Sequence, residues 1–307
     1  MTAPRLAIAY ALDLLVGDPE WFPHPVRGFG RLTYAGEQLL RPFTSGPASE
    51  ILAGAALTIS VASVGWALGR PKNSVWQVLL AWTALATRSL LDETWAVIGA
   101  LEAGDLDLAR RQLARIVGRD TAHLNTTEIS RAVIETLAES ACDGIIAPLF
   151  WLVAGGTSCA MSYKAINTLD SMIGHPEAPY RYFGRPAARL DDVVSFIPAR
   201  LTALCIAAAA KFQGLDAAGA RKIWLRDGDR HASPNAGQSE AAIAGALGVR
   251  LGGPSSYDGV PHDAPVLHAD GRPASLRDAK AALSLIALVS GIAFGAALLL
   301  VAGRRRR

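Results

Sequence analysis

The sequence predicts a mostly α, polytopic integral membrane protein with three to five transmembrane helices and helical or loop segments on the cytoplasmic side. Three observations carry this. Of 307 residues, 51% are hydrophobic and only 19% are charged, below the roughly 25% charged share of ordinary soluble domains. Several long runs lack charge altogether, and a membrane span needs about 20 apolar residues. No stretch alternates apolar and polar residues over a useful length, and no fixed-period repeat is present, so strands and solenoids are not expected.

Taken in order, the N-terminus LAIAYALDLLVGDP is apolar but interrupted by Asp13. It has no clear small-residue cleavage site, so it reads as a half-inserted or membrane-surface helix, not a signal peptide. Residues 51–69, ILAGAALTISVASVGWALG, are a span candidate. Residues 73–91, beginning NSVWQVLLAWTALAT, are a weaker one, and the turn RPKN between the two suggests a helical hairpin. Residues 92–143 read as helices, with two amphipathic segments around the turn AGD. The uncharged run 144–163 contains Pro148 and Gly155-Gly156, which can break it. Residues 193–210 carry Pro198 and Arg200, and fit either a span with a functional charge or a buried interfacial helix. Residues 211–280 begin as a helix and turn loop-like. The uncharged stretch 281–303 is the strongest span, and the arginines Arg304–Arg307 beyond it mark the cytoplasm. The whole is read as one membrane domain, 1–307. The basic loops at 18–50, 92–143, 162–192 and 211–230 all favour the cytoplasmic side, so some apolar runs must be re-entrant or buried against other helices.

Composition excludes other classes. Net charge is +3 and there is no basic stripe with interleaved aromatics, so nucleic acid is not an expected partner. Three cysteines without a CxxC, Cys142, Cys159 and Cys205, read as reduced, buried thiols with neither a disulfide framework nor a zinc site.

Four polar blocks stand out. In GDPEWFPHPVRGFGRL, residues 17–32, three prolines fix a rigid path that presents Asp18, His24, Arg27 and Arg31. An acid there can hold a metal and the cations phosphate; the plainer reading is an interfacial loop anchored by Trp21 and Phe22. In residues 118–150, Thr126 or Thr127 can cap a helix on which Arg131, Glu135, Glu139 and Asp143 recur every four residues and share a face. Carboxylates running into an apolar segment are costly unless paired or metal-bound, and oxygen ligands of this kind suit Mg²⁺. The alternative is a solvated face with an Arg–Glu pair. In SYKAINTLDSM, Lys164, Asn167 or Thr168, and Ser171 share a helix face with Asp170 at its edge; Arg185, Arg189, Asp191 and Asp192 follow. Such groups can bind phosphate and its metal, or can form ordinary salt bridges. In residues 226–253, the turn Ser233-Pro234-Asn235-Ala236-Gly237 leads into a small-residue helix with Glu240 in its first turn. A helix N-terminus of this kind can cradle an anion, but by itself it reads as a structural turn, and it matches no P-loop.

These blocks, in this order, resemble the CobD/CbiB family of adenosylcobinamide-phosphate synthases. The matching stretches are LDLLVGDPEWFPHPVRGFGRL, GRDTAHLNTTEISRAVIETLAESACDGIIAPLFW, YKAINTLDSMIG with FGRPAARLDDVVSFIPARLTA, and HASPNAGQSEAAIAGALGVRLGG, from residue 12 to about 259. Two positions depart from the family pattern. Ser140 stands where AEN is usual, and Gln238 where an aromatic usually follows PNAG.

The resemblance implies a multi-pass protein of the bacterial inner membrane with its site at the cytoplasmic face. It implies ATP- and Mg²⁺-dependent ligation of 1-amino-2-propanol phosphate, or the free amino alcohol, to a propionate of adenosylcobyric acid. The expected partners are these substrates, the bilayer and, in addition, other late enzymes of the pathway. Within the matching blocks, residue types suggest roles. Asp18, Glu139 and Asp143 are expected at the metal, with Glu135 near it. Lys164, Glu135, Glu139 and either Asp170 or Asp192 are expected in catalysis, one of the last two as base. His24, Arg27, Asn167, Arg185, Arg189, His231 and Asn235 are expected on substrate and phosphates. A related AmpE-like sensor without ligase activity is the rival reading; a transporter would require inverted repeats, which are absent from the sequence.

Overall fold

The computed structural model describes residues 1–19 and 21–304. Of the terminal arginines, Arg305–Arg307 lie outside the described residues. The chain forms two compact units. One contains Met1–Ala86, Ala147–Ser195 and Phe294–Arg307; the other contains Thr87–Ile146 and Phe196–Ala293.

The first unit begins with α1 (Ala3–Val16), α2 (Pro25–Leu40), α3 (Pro47–Leu68) and α4 (Ser74–Ala84). Prolines start α1, α2 and α3, where a missing N–H costs nothing. Asn73 caps α4 by accepting from Val75 and Trp76 N–H at 2.9 and 3.1 Å. At eleven residues α4 is too short to span a bilayer by itself, so the run 73–91 forms no single helix long enough to cross a membrane. Leu85 leaves the helix in an extended conformation, and the chain restarts as an amphipathic helix at Thr87. Nor does α4 chiefly partner α3 in the expected hairpin: it packs against α1 and α8.

The second unit opens with α5 (Thr87–Glu102), α6 (Leu106–Leu113) and α7 (Thr126–Ala141). The expected turn separates α5 from α6, with Gly104 at φ 74°. The α7 cap is Asn125, not Thr126 or Thr127. Asn125 accepts from Glu128 N–H at 3.0 Å and Glu128 accepts from Asn125 N–H at 2.8 Å, a reciprocal capping box. A π-helical turn, Cys142–Ile146, then leads into α8 (Ala147–Ile173) in the first unit. Helix α8 breaks within the predicted pair, where Gly156 takes φ 72° and ψ −159°. SYKAINTLDSM is helical throughout.

After α9 (Arg185–Val194) of the first unit, the second continues with α10 (Phe196–Phe212), α11 (Ala217–Asp227) and α12 (Ala236–Leu247). The antiparallel hairpin β1 (Leu251–Tyr257) and β2 (Val260–Leu267) follows. Helix α13 (Leu276–Arg304) ends the described chain. The hairpin corrects the expectation of no strands.

Three stretches are long and apolar enough to cross a membrane: Pro47–Leu68, Thr126–Ile173 and Leu276–Arg304. The pair α9–α10 makes a fourth if it is one broken span. The protein is thus a mostly α polytopic membrane protein. Large apolar side chains stay outside, among them Leu52, Ile59, Leu204, Leu299 and Leu300, as a lipid solvent allows.

The two interiors are built differently. In the first, Phe29, Leu57, Val61, Leu169, Ile173 and Phe183 form one apolar cluster. Helix α3 lies so close to its neighbours that a Cβ on Gly54 would fall 1.8 Å from the Phe183 carbonyl oxygen, the small-residue packing of membrane helices. In the second, α12 is buried on every side, every residue from Ala236 to Leu247 being enclosed, with α7, α10 and α11 packed on it. Its alanines and glycines permit this: a Cβ on Gly245 would meet the Gly219 carbonyl oxygen at 2.3 Å.

Candidate functional site

In the second unit a cavity of about 300 Å³ is lined by α7, the 116–119 segment, the 231–232 turn, α12 and the hairpin. It begins with the polar stripe of α7. Glu135 is buried and fully engaged. One carboxylate oxygen accepts from Gly252 N–H at 2.8 Å and the other pairs with the Arg119 guanidinium at 2.7 Å. Arg131, one turn earlier, donates to the Gly252 and Pro254 carbonyls and lies 3.8 Å from Glu135. The two side chains therefore hold β1 against α7. Gly252 and Gly253 have positive φ, 77° and 86°, so glycine is needed where the clamp seizes the strand. Asp120 holds the far end, its carboxylate accepting from Gly259 N–H at 2.9 Å while its own N–H donates to Ser256 at 2.8 Å. The Gly259 N–H draws the Asp120 carboxyl below its ordinary range, helped by Ser256.

Glu139, one turn beyond Glu135, is exposed and lines the cavity. Asp143 does not line it. The π turn lengthens the helical repeat there, so the four-residue spacing no longer returns to the same face.

Glu240 enters the cavity from α12. It is 6% exposed, and among the described residues its carboxyl has no hydrogen-bond partner. Burial pushes it well above the ordinary carboxylate range, and the charges of Glu135 and Glu139 add to this; Arg119 only partly opposes them. His231 also lines the cavity. Its Nδ1 accepts from Ser233 N–H at 3.0 Å, which leaves Nε2 as the N–H of the neutral ring. Burial lowers its pKa and keeps it neutral. Tyr257 and His262 of the hairpin also line the cavity, as do Thr136, Ser140 and Ser255.

Sequence reasoning thus placed Glu135, Glu139 and His231 in blocks that the structure brings to one cavity. It missed Arg119, Tyr257 and His262, and it read Glu240 as part of a structural turn. Asn235 is buried at the start of α12 without lining the cavity. Gln238 is structural: it accepts from the Trp224 ring N–H at 2.8 Å and donates to Gly228, Asp229 and Pro234.

The remaining candidates belong to the first unit. His24 Nδ1 accepts from Val26 N–H at 3.3 Å, capping α2, and Nε2 lies 3.3 Å from Asp18. Arg27 donates to the Phe22 carbonyl. On α8, Lys164, Asn167 and Asp170 follow the expected helical spacing, while the hydroxyls of Thr168 and Ser171 bond back to the helix at 2.6 and 2.9 Å. Arg185 and Arg189 are exposed, and Arg189 pairs with Asp192 at 3.3 Å. Among the described residues no group of three His, Cys, Asp or Glu side chains is placed to hold a metal ion. Asp18, Glu139 and Asp143 therefore form no such centre. The three cysteines are free, Cys142 buried and Cys159 and Cys205 half-buried.

A family model described as "CobD/Cbib protein" matches residues 6–286. The chain is 49% identical over 272 residues to "Cobalamin biosynthesis protein CobD" of Pelobacter propionicus, covering 83% of this chain and 81% of the relative. It is 45% identical to the protein of the same name from Geobacter metallireducens, over 92% of this chain and 91% of the relative. It is 39% identical to "Cobalamin biosynthesis protein CbiB" of Salmonella typhimurium, over 99% and 98%. No solved structure matches it.

Proposed function

The chain belongs to the CobD/CbiB family, and from that premise we propose that it is an adenosylcobinamide-phosphate synthase of cobalamin biosynthesis. In this reading it joins 1-amino-2-propanol phosphate, or the free amino alcohol, to a propionate of adenosylcobyric acid in an amide bond. A carboxylate and an ammonium do not condense in water. The acid is first activated by phosphoryl transfer from ATP, and the amine then displaces phosphate from the acyl phosphate. Magnesium enters as part of the nucleotide complex, since Mg²⁺ is commonly held by phosphate oxygens, water and only one or two carboxylates.

The observation that carries the reading is the cavity of the second unit. At about 300 Å³ it suits a three-carbon amino alcohol phosphate and is too small for a corrin ring. Its lining offers the carboxylate of Glu139, a neutral imidazole in His231 and a fixed cation in Arg119. The clamp of Arg131 and Glu135 on β1 keeps one wall in place. Lys164, His24, Arg27, Asn167, Arg185 and Arg189 remain proposed ligands of phosphate and corrinoid side chains, and Asn235 a proposed substrate-orienting group. The proposed setting is the cytoplasmic face of the bacterial inner membrane, where ATP is available.

The test is direct. Protein purified in detergent is supplied with adenosylcobyric acid, the amine phosphate, ATP and Mg²⁺, and the amide is sought by mass spectrometry. Product that requires ATP and either form of the amine supports the proposal. No product from folded protein with either amine overturns it and returns weight to a sensor without ligase activity.

A further inference from the structure

We infer that the cavity of the second unit binds the ammonium group of a primary amine between Glu240 and Glu139, and that Glu240 takes a proton from it during attack. This rests on the ligase reading for its reaction, but the binding claim stands on the cavity alone.

The argument is one of unbalanced chemistry. Three carboxyl groups meet here: Glu135, Glu139 and Glu240. Arg119 already pairs with Glu135 at 2.7 Å, and Arg131 is spent on the Gly252 and Pro254 carbonyls. Glu139 is exposed and lines the cavity. Glu240 is more than nine-tenths buried, lines the cavity and has no hydrogen-bond partner among the described residues. A buried carboxyl without a partner is costly, and the missing complement is a cationic multiple donor. An ammonium supplies three N–H donors and one charge. The other titratable groups around the cavity, His231, His262 and Tyr257, supply no fixed positive charge while His231 is held neutral by burial.

In the empty cavity burial and the neighbouring carboxylates Glu135 and Glu139 favour the protonated form of Glu240 more than Arg119 opposes it. Arrival of the ammonium reverses that balance, and Glu240 releases its proton to solvent. During ligation the ammonium gives one proton to Glu240. The nitrogen lone pair then attacks the acyl carbon, and the C–O bond to phosphate breaks with its electron pair leaving on the phosphate oxygen. The second nitrogen proton departs with the phosphate. This assigns the base to Glu240 in place of Asp170 or Asp192.

Calorimetric titration of the full-length protein in detergent tests the proposal, using buffers of different ionisation enthalpy from mildly acidic to neutral pH. The probes are 1-amino-2-propanol phosphate and isopropyl phosphate, which lacks the amine. Wild-type protein should release about one proton on binding the amine and none on binding isopropyl phosphate. Glu240→Gln mimics the protonated acid; it should bind the amine roughly ten- to a hundredfold more weakly, the range of a charge-assisted hydrogen bond. It should also release no proton and bind isopropyl phosphate as the wild type does. Wild-type binding without proton release overturns the inference with no variant needed, as does unchanged amine affinity in Glu240→Gln. Amine binding with proton release but no amide under the full reaction mixture would instead sink the ligase reading and leave the amine site standing.

Discussion

The two units differ in what their buried polar groups hold in place. In the first, Thr58, Thr168 and Ser171 turn their hydroxyls back onto carbonyls four residues earlier, at 2.7, 2.6 and 2.9 Å, and close packing rests on glycines such as Gly54. The first also buries Asp13, Glu37 and Asp191, whereas in the second the buried charges hold a strand and a turn. Glu135 is tied to Arg119 and the β1 backbone, and Asp227 is enclosed by Arg226, Arg230 and the His268 N–H. Local satisfaction lets helices pack as apolar rods. Long-range satisfaction of buried charge instead fixes a non-helical element, the hairpin, and leaves one carboxyl unmatched in a cavity. The second arrangement is the one suited to a ligand.

The largest expected effect that sharpens this contrast is Arg119→Ala. It strands Glu135 in the interior, and breaking a buried pair costs about 3–5 kcal/mol. Hydrogen exchange should rise across 87–146 and 196–293 while the first unit keeps its protection. Equal loss in both units would erase the distinction. Gly54→Ala is the reciprocal case. Its methyl has no room beside Phe183, and overpacking costs about 1–3 kcal/mol; the exchange increase should centre on α3 and the Phe183 segment.

Asp227→Asn should cost about 1–3 kcal/mol at neutral pH, the range for hydrogen bonds to a charged group. Burial pushes the Asp227 carboxyl up, but the Arg226 hydrogen bond, the His268 N–H and the charges of Arg226 and Arg230 leave it below its ordinary value. With the folded pKa lowered, the stabilisation is complete above the ordinary carboxylate range of about 4 and is lost as pH falls through the folded value. Thermal melts of wild type and variant should therefore differ by a constant amount near neutrality and converge in acid. A gap that widened on acidification would contradict this. The smallest effect is expected for Arg189→Ala. An exposed pair such as Arg189–Asp192 contributes within about 1 kcal/mol, so the melting temperature should barely move, and any loss of turnover would report a substrate contact.

What the sequence disclosed follows from which forces are local. Spans at Pro47–Leu68 and Leu276–Arg304 were legible because apolar length alone makes them. The break at Gly156 was legible from Gly-Gly beside Pro148. The stripe Arg131, Glu135, Glu139 was legible from helical spacing, but its continuation to Asp143 was not, because one π turn shifts the face. The hairpin escaped notice because Leu251–Tyr257 has no alternation and is held by Arg131, Glu135 and Asp120, residues more than a hundred positions away. Glu240 escaped for a related reason. Its helix looks like small-residue filler, and only the packing of α7, α10 and α11 around it shows that a carboxyl is buried there. Even the cap of α7 turned on a neighbour: Asn125 with Glu128 outcompeted the threonines beside it.

The measurement that bears most directly on the cavity as the place of chemistry is amide formation by Glu139→Ala. Glu139 is exposed, so the variant should fold. Amide product followed by mass spectrometry under the full reaction mixture should form roughly a hundredfold more slowly, the scale of a lost proton-transfer or charge-positioning group. Turnover at the wild-type rate in folded Glu139→Ala would contradict the account and move the chemistry out of this cavity.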